Sequence, residues 1–231
     1  METKIIYIAD DEKKIQDLIK MFLKKEGYDV EVFSDGRALL EAFKEKRADM
    51  LILDIMMPKL DGLTVCSEIR KESDVPIIII SARDSEGDKI AGLTLGSDDY
   101  MTKPFSPVEL VLRVKSIFKR MEFQSNKNTE EDAIRILDIT ISTEGRSALC
   151  NGKDLKLTPM EFSLLLYLAK MVNKGVSREE LLNRVWGYES EVDTRATDDM
   201  IKRIRKKLIN SGSLLKIETI WGFGFMISNK D

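Results

Sequence analysis

Hydrophobic positions follow one rhythm in the first half of this chain and another in the second. Residues 4–9, after Lys4, and 76–80 are unbroken apolar or β-branched runs, the pattern of strands buried on both faces. Shorter runs at 29–33 and 50–54 also read as strands. Between the first two, Ile15, Leu18, Ile19, Phe22 and Leu23 recur at helical spacing, and Gly27 supplies a stop. Further helices are predicted over 36–46, 62–72, 86–96 and 106–121. With the short segment DDYMTKPF as a fifth strand, the first half contains five β/α units. The expected fold is α/β, a doubly wound five-stranded parallel sheet.

The second half predicts a different architecture. Residues 133–157 hold β-prone stretches broken at Glu144-Gly145 and Asn151-Gly152, which signals short antiparallel strands. Thr158-Pro159 with Glu161 marks a helix start, and the helix should run over 159–171. Ser177 should cap a second helix over 178–186; a third follows over 194–209, and a hairpin over 215–227. Three helices followed by a two-stranded ribbon make an α+β winged helix-turn-helix. Residues 123–132, FQSNKNTEED, are nearly devoid of apolar side chains and read as a linker. The expected division is 1–122, 123–132 and 133–231.

Composition narrows the chemistry. The chain has 231 residues, a net charge of −3 and no histidine. The absence of histidine excludes Ser-His-Asp catalysis, His-containing zinc sites and phosphohistidine chemistry within this chain. No apolar run approaches the roughly 20 residues needed to span a bilayer. The first residues are acidic rather than leader-like, so a cytoplasmic location is expected. Cys66 and Cys150 are far apart in sequence and read as reduced structural thiols. Basic charge is concentrated in IKRIRKKL, where Lys202, Arg203, Arg205, Lys206 and Lys207 occur without an acid. Such a local patch matters more for nucleic-acid contact than the net charge does.

The charged residues of the first half fall where predicted strands end. KIIYIADD ends in Asp10 and Asp11, MLILD in Asp54, PIIIIS in Ser81, and DDYMTKPF delivers Lys103. In a parallel sheet these ends share one edge, where ligands bind. A strand-end carboxylate such as Asp54 can attack phosphorus to form an acyl phosphate. Asp10 and Asp11 are suited to Mg²⁺, and Lys103 to the developing phosphoryl charge.

The strings IADDE, LDIMMPKLDG, SAR and DDYMTKPF resemble the receiver domain of bacterial two-component response regulators. LTPMEFSLL, SREELLNRVWG, TRATDDMIKRIRKKL and TIWGFGF resemble the effector domain of the OmpR/PhoB class. The resemblance implies Asp54 as phosphoacceptor and Mg²⁺ on Asp10, Asp11, Asp54 and the Met56 carbonyl. It implies Ser81 and Tyr100 as a switch pair and a cis Lys103-Pro104 bond. The implied partners are a sensor histidine kinase, double-stranded promoter DNA, RNA polymerase through a loop near 187–193, and a second copy of the chain. The implied dimer face comprises Ile90, Leu93 and Leu112 with the pairs Lys89–Glu109, Asp98–Arg113 and Asp99–Arg120. Arg195, Lys202, Arg203, Arg205 and Lys206 are the implied DNA-facing set, with the third helix in the major groove and the wing in the minor groove.

The chain departs from the class pattern at four places. Thr94 replaces an acid that would pair with Lys115. Asp199 and Met200 replace Val-His, and Asp198 with Asp199 places acids near expected phosphates. Trp221 stands where a wing arginine is common, for which core packing of the hairpin or packing on a DNA sugar is expected. This tryptophan, with GLTLGSDDY, is similar to vancomycin-resistance-type regulators. Two alternatives remain at this point. One is a DNA-binding regulator independent of phosphorylation, its first half serving only for dimerisation. The other is an Asp-dependent phosphohydrolase, although Met56 stands where its second aspartate would be needed.

Overall fold

The computed structural model describes residues 3–82, 96–123, 133–143, 145–186 and 195–229. The expected helix over 86–96, the linker and the loop over 187–193 therefore lie wholly or largely outside the described residues. So do Lys89, Ile90, Leu93 and Thr94, and the side chains of Arg120 and Arg195. The chain forms two compact units, residues 1–115 and 116–231.

In the first unit, β1 (Ile5–Ala9), β2 (Asp29–Phe33), β3 (Met50–Asp54), β4 (Ile77–Ser81) and β5 (Asp99–Thr102) form one parallel sheet. The order is β2-β1-β3-β4-β5, so the winding direction reverses between β1 and β3. Strands β3 and β4 are buried at every position, as their unbroken apolar sequence requires. The flanking helices are α1 (Lys13–Lys25), α2 (Gly36–Glu45), α3 (Gly62–Arg70) and α4 (Pro107–Phe123). Asp35 and Asp61 cap α2 and α3 by accepting from Ala38 N and Thr64 N. Gly27, at φ 86°, follows α1 as the sequence expects. Buried Gln16 of α1 donates to the carbonyls of Asp10 (2.5 Å) and Phe33 (3.1 Å). It thus joins the ends of β1 and β2, where nothing in the sequence spacing announces it.

The second unit opens with an antiparallel sheet of β6 (Ala133–Ile136), β7 (Ile139–Ser142), β8 (Ser147–Cys150) and β9 (Lys153–Asp154). Helices α5 (Pro159–Lys170), α6 (Arg178–Trp186) and α7 (Arg195–Asn210) follow. Thr158 and Glu161 form a reciprocal capping box at α5, and Ser177 Oγ accepts from Glu180 N at α6. The expected two-stranded ribbon is three-stranded: β10 (Val176–Ser177) pairs with β12 (Gly224–Ile227), which pairs with β11 (Ile217–Ile220). Gly224 allows this approach, because a Cβ there would lie 1.9 Å from the Val176 carbonyl oxygen. The core of this unit includes Phe162, Leu165, Leu168, Ile201, Ile204 and Phe225.

Candidate functional site

Reversal of winding between β1 and β3 opens a crevice at the carboxyl ends of those strands, and the acidic residues meet there. Carboxylate oxygens of Asp10, Asp11 and Asp54 lie within 4.8 Å of one another. Asp10 and Asp54 are buried and Asp11 is exposed. Lys103, carried just past β5, bridges the buried pair: its Nζ is 2.6 Å from Asp54 Oδ2 and 2.9 Å from Asp10 Oδ2. Glu12 lies 3.3 Å from the same ammonium. The other oxygens are held by main chain, Asp54 Oδ1 accepting from Met56 N and Asp10 Oδ1 from Glu12 N. The Lys103-Pro104 bond is cis.

Burial pushes the Asp10 carboxyl above its ordinary pKa; the Lys103 hydrogen bond opposes this and the Asp54 charge adds to it. Burial also disfavours the Lys103 ammonium. Its hydrogen bonds to Asp54 and Asp10 outweigh that and hold its pKa above the usual lysine value. The donor set is all hard oxygen, with more negative charge than one lysine neutralises. It fits a divalent cation such as Mg²⁺ and suits a softer metal poorly.

Ser81 is buried at the end of β4, and Tyr100 is buried in the neighbouring β5, in register with Ile79. Met56 exposes its side chain while its N–H orients Asp54. Gly62 sits directly beneath the site: a Cβ there would meet the Asp54 carbonyl oxygen at 2.1 Å. Gly62→Ala should therefore push α3 off the Asp54 backbone at a cost of at least about 1–3 kcal/mol. Thermal unfolding with and without Mg²⁺ checks this. Unchanged values in both would show that the site tolerates the shift.

Three residues of the expected dimer face, Asp98, Asp99 and Arg113, are buried and engaged within the chain. Asp98 is fully buried (0% exposed). Its carboxylate receives Arg70 Nη2 at 2.8 Å and Ile77 N at 2.9 Å. Arg113 is buried and paired within its own chain, with Asp99 at 2.8 Å and Glu109 at 2.6 Å. Leu112 is exposed as expected, and Val108 accompanies it. Lys115 pairs with Glu26 at 2.5 Å.

In the second unit, α7 sorts its basic residues by face. Lys202 and Lys206 are exposed. Arg203 and Arg205, expected to face DNA, are turned inward instead. Arg203 Nε lies 3.3 Å from Glu161 Oε1, and Lys207 Nζ lies 2.7 Å from Glu161 Oε2. Arg205 donates to the Ile217 carbonyl (2.9 and 2.5 Å) and to Thr219 Oγ1 (2.9 Å). The physical reason is position: both arginines flank the stripe of Ala196, Met200, Ile204 and Leu208 that α7 buries. The acids that seemed ill-placed are neutralised. Asp198 receives Arg178 Nε and Nη2 at 2.9 and 3.0 Å, and buried Asp199 pairs with Lys202 at 2.8 Å. Core packing of Trp221 is overturned, since its side chain is 92% exposed.

A strand-end Asp–Lys site and a winged helix-turn-helix define the class of a transcription regulator with a receiver and an effector unit. Residues 6–115 match the response regulator receiver domain family, and residues 152–227 match the family described as transcriptional regulatory protein, C terminal. The chain is 41% identical over 221 residues to the uncharacterized transcriptional regulatory protein YclJ of Bacillus subtilis (strain 168), covering 95% of this chain and 97% of that protein. It is 30% identical to the response regulator DrrB, an OmpR/PhoB homolog of Thermotoga maritima, over 98% of this chain and 100% of that one, with a TM-score of 0.53. A mutant of RitR shares the fold, with a TM-score of 0.76 at 23% identity over 97% of this chain and 98% of that one. The chain belongs to the OmpR/PhoB family of two-component response regulators with a DNA-binding effector domain. Among the described residues, no helix is long and apolar enough to cross a membrane.

Proposed function

We propose that this chain is a cytoplasmic transcription factor switched by phosphorylation of Asp54. Residues 1–122 serve as the receiver, 123–132 as linker and 133–231 as the DNA-binding domain. The observation that carries the reading is the Lys103 ammonium between two buried carboxylates, 2.6 and 2.9 Å away. An oxygen of Asp54 attacks the phosphorus of a phosphohistidine on a partner kinase. The new O–P bond forms as the N–P bond breaks, and the imidazole leaves with the bonding pair and takes up a proton. Bound by Asp10, Asp11, Asp54 and the Met56 carbonyl, Mg²⁺ supplies charge neutralisation for the phosphoryl oxygens. Lys103 contributes the second positive charge, and Ser81 and Tyr100 respond as the switch pair.

The added charge of about −1.5 to −2 acts on a face of α4 carrying Val108, Glu109 and Leu112. We assign receiver dimerisation to this face, together with Lys89, Ile90, Leu93 and Arg120. Dimerisation places two effector units on direct-repeat promoter DNA, where Lys202, Lys206 and Arg195 contact the duplex. RNA polymerase is the partner of the loop over 187–193.

The test is incubation with Mg²⁺ and a small phosphodonor, reading intact mass and solution size together. The chain should gain one phosphoryl group and shift to a dimer, and Asp54→Ala should do neither. A mass gain that survives in Asp54→Ala would place the acceptor elsewhere. No gain, with DNA binding intact, would favour a regulator in which the first unit only dimerises.

A further inference from the structure

Trp221 is the most exposed large apolar side chain among the described residues, at 92%. It occupies the turn between β11 and β12, next to Gly222 at φ 70°. Phe223 beside it is half exposed and closes the turn by donating its N–H to the Ile220 carbonyl at 3.0 Å. The base of this hairpin is fastened to both helices of the helix-turn-helix. Phe225, almost fully buried, lies between the guanidinium groups of Arg178 and Arg205, 4.8 and 5.8 Å from its ring centre. Arg178 N donates to the Phe223 carbonyl, and Arg205 holds Ile217 and Thr219. The base of the hairpin is therefore tied to α6 and α7 by side-chain and main-chain contacts.

From Ile217 to Ile227 the hairpin contains no lysine or arginine and Glu218 is its one charge, while exposed Lys216 stands at its base, just before β11. The tip of this wing has nothing with which to neutralise a phosphate. Cationic contact must come from the exposed lysines of α7 and from Lys216 at the foot of the hairpin. What the tip offers is a rigid indole with only two side-chain torsions to immobilise.

We propose that Trp221 is the wing's DNA contact and acts as an apolar wedge. It packs on sugar faces of the minor groove and partly unstacks one base step. This deepens the DNA-binding reading of the second unit and rests on it. Wedge residues kink the duplex and work best at flexible pyrimidine–purine steps. The wing then selects sites by deformability, without a charged contact. Continuity with α7 favours DNA over a protein as the occupant of this tip.

The test uses the full phosphorylated chain and a duplex recovered with it from a randomised pool. Affinity is measured over a salt series and bending by circular-permutation mobility. Trp221→Ala should weaken binding on the order of 10- to 100-fold. It should leave the salt slope unchanged and reduce the bend, while Trp221→Phe retains most of both. Lys202→Ala should instead flatten the salt slope by about one. Equal thermal unfolding of the Trp221 variants shows that the fold is intact. Wild-type affinity and bend in Trp221→Ala would overturn the proposal. So would a loss matched by a flatter salt slope, or normal DNA binding with failed transcription, which would assign the tip to a protein partner. If the wild-type chain recovers no duplex, the DNA-binding reading falls with it, and that result is distinct from a failure confined to the variant.

Discussion

Glu161→Ala is expected to be the most damaging single substitution in the second unit, costing about 3–5 kcal/mol. Glu161 is almost completely buried, and its two oxygens hold Arg203 of α7, Lys207 of α7 and the Thr158 N–H at the start of α5. Truncation leaves Arg203, itself nearly buried, without its countercharge, and removes one arm of the capping box. A domain of this size has a total stability of only about 5–15 kcal/mol, so the loss should be visible as a selective early transition in denaturant. Glu161→Gln keeps an acceptor for the cap and loses only the charge, and should fall between the two. Equal midpoints for all three chains would mean that Glu161 does not hold α7.

The second large effect concerns Asp10 and has a pH signature. Its folded-state pKa is raised, chiefly by burial. The favourable contribution of such a group is complete below the unfolded carboxyl value of about 4 and is lost as pH rises through the raised folded value. At neutral pH without divalent metal, the ionised carboxylate is therefore a net burden. Asp10→Asn should melt above the natural chain, and the gap should close as the pH is lowered through that range. Mg²⁺ should reverse the order. A ligand bound only by the folded state adds about 2.7 kcal/mol at roughly 100 times its dissociation constant. The natural chain should gain this at neutral pH and Asp10→Asn should gain little. Thermal melts with and without Mg²⁺ at several pH values check both halves. A natural chain indifferent to Mg²⁺ would refute the metal assignment.

What was legible in the sequence was whatever depends on order along the chain. Unbroken apolar runs gave β3 and β4, and their last residues gave Asp54 and Ser81. Thr158-Pro159 with Glu161, and Ser177, gave two helix starts through side chains that meet their own backbone three residues on. Pairings across the fold were not legible. Asp98 looked like a surface charge because its partner, Arg70, lies on a helix 28 positions earlier. The basic run of α7 looked uniform, yet only Lys202 and Lys206 of its described side chains keep the outer face. A helical projection of Met200, Ile204 and Leu208 would have placed Arg203 and Lys207 on one flank and Arg205 on the other. Of the two placements open to Trp221, core packing fails because the residue sits in the turn, which the strand-like pattern of TIWGFGF does not mark. The two-stranded ribbon gained β10 because a two-residue strand has no periodicity to detect.

Asp138, at the turn between β6 and β7, carries a consequence for how the second half can be cut. Its carboxylate accepts from Ser213 Oγ and Leu214 N, both at 2.9 Å, and from Cys150 Sγ at 3.3 Å. These contacts hold the carboxyl below its ordinary pKa: burial opposes the shift, and the Leu214 N–H and Ser213 hydroxyl outweigh it. The leading sheet is thereby stapled to the chain that joins α7 to β11. The stretch that matches the effector family, residues 152–227, omits Asp138 and is smaller than the compact unit of residues 116–231. A fragment beginning at residue 152 would enter β11 with Ser213 and Leu214 untethered, and its wing would fray where the full half-molecule holds firm.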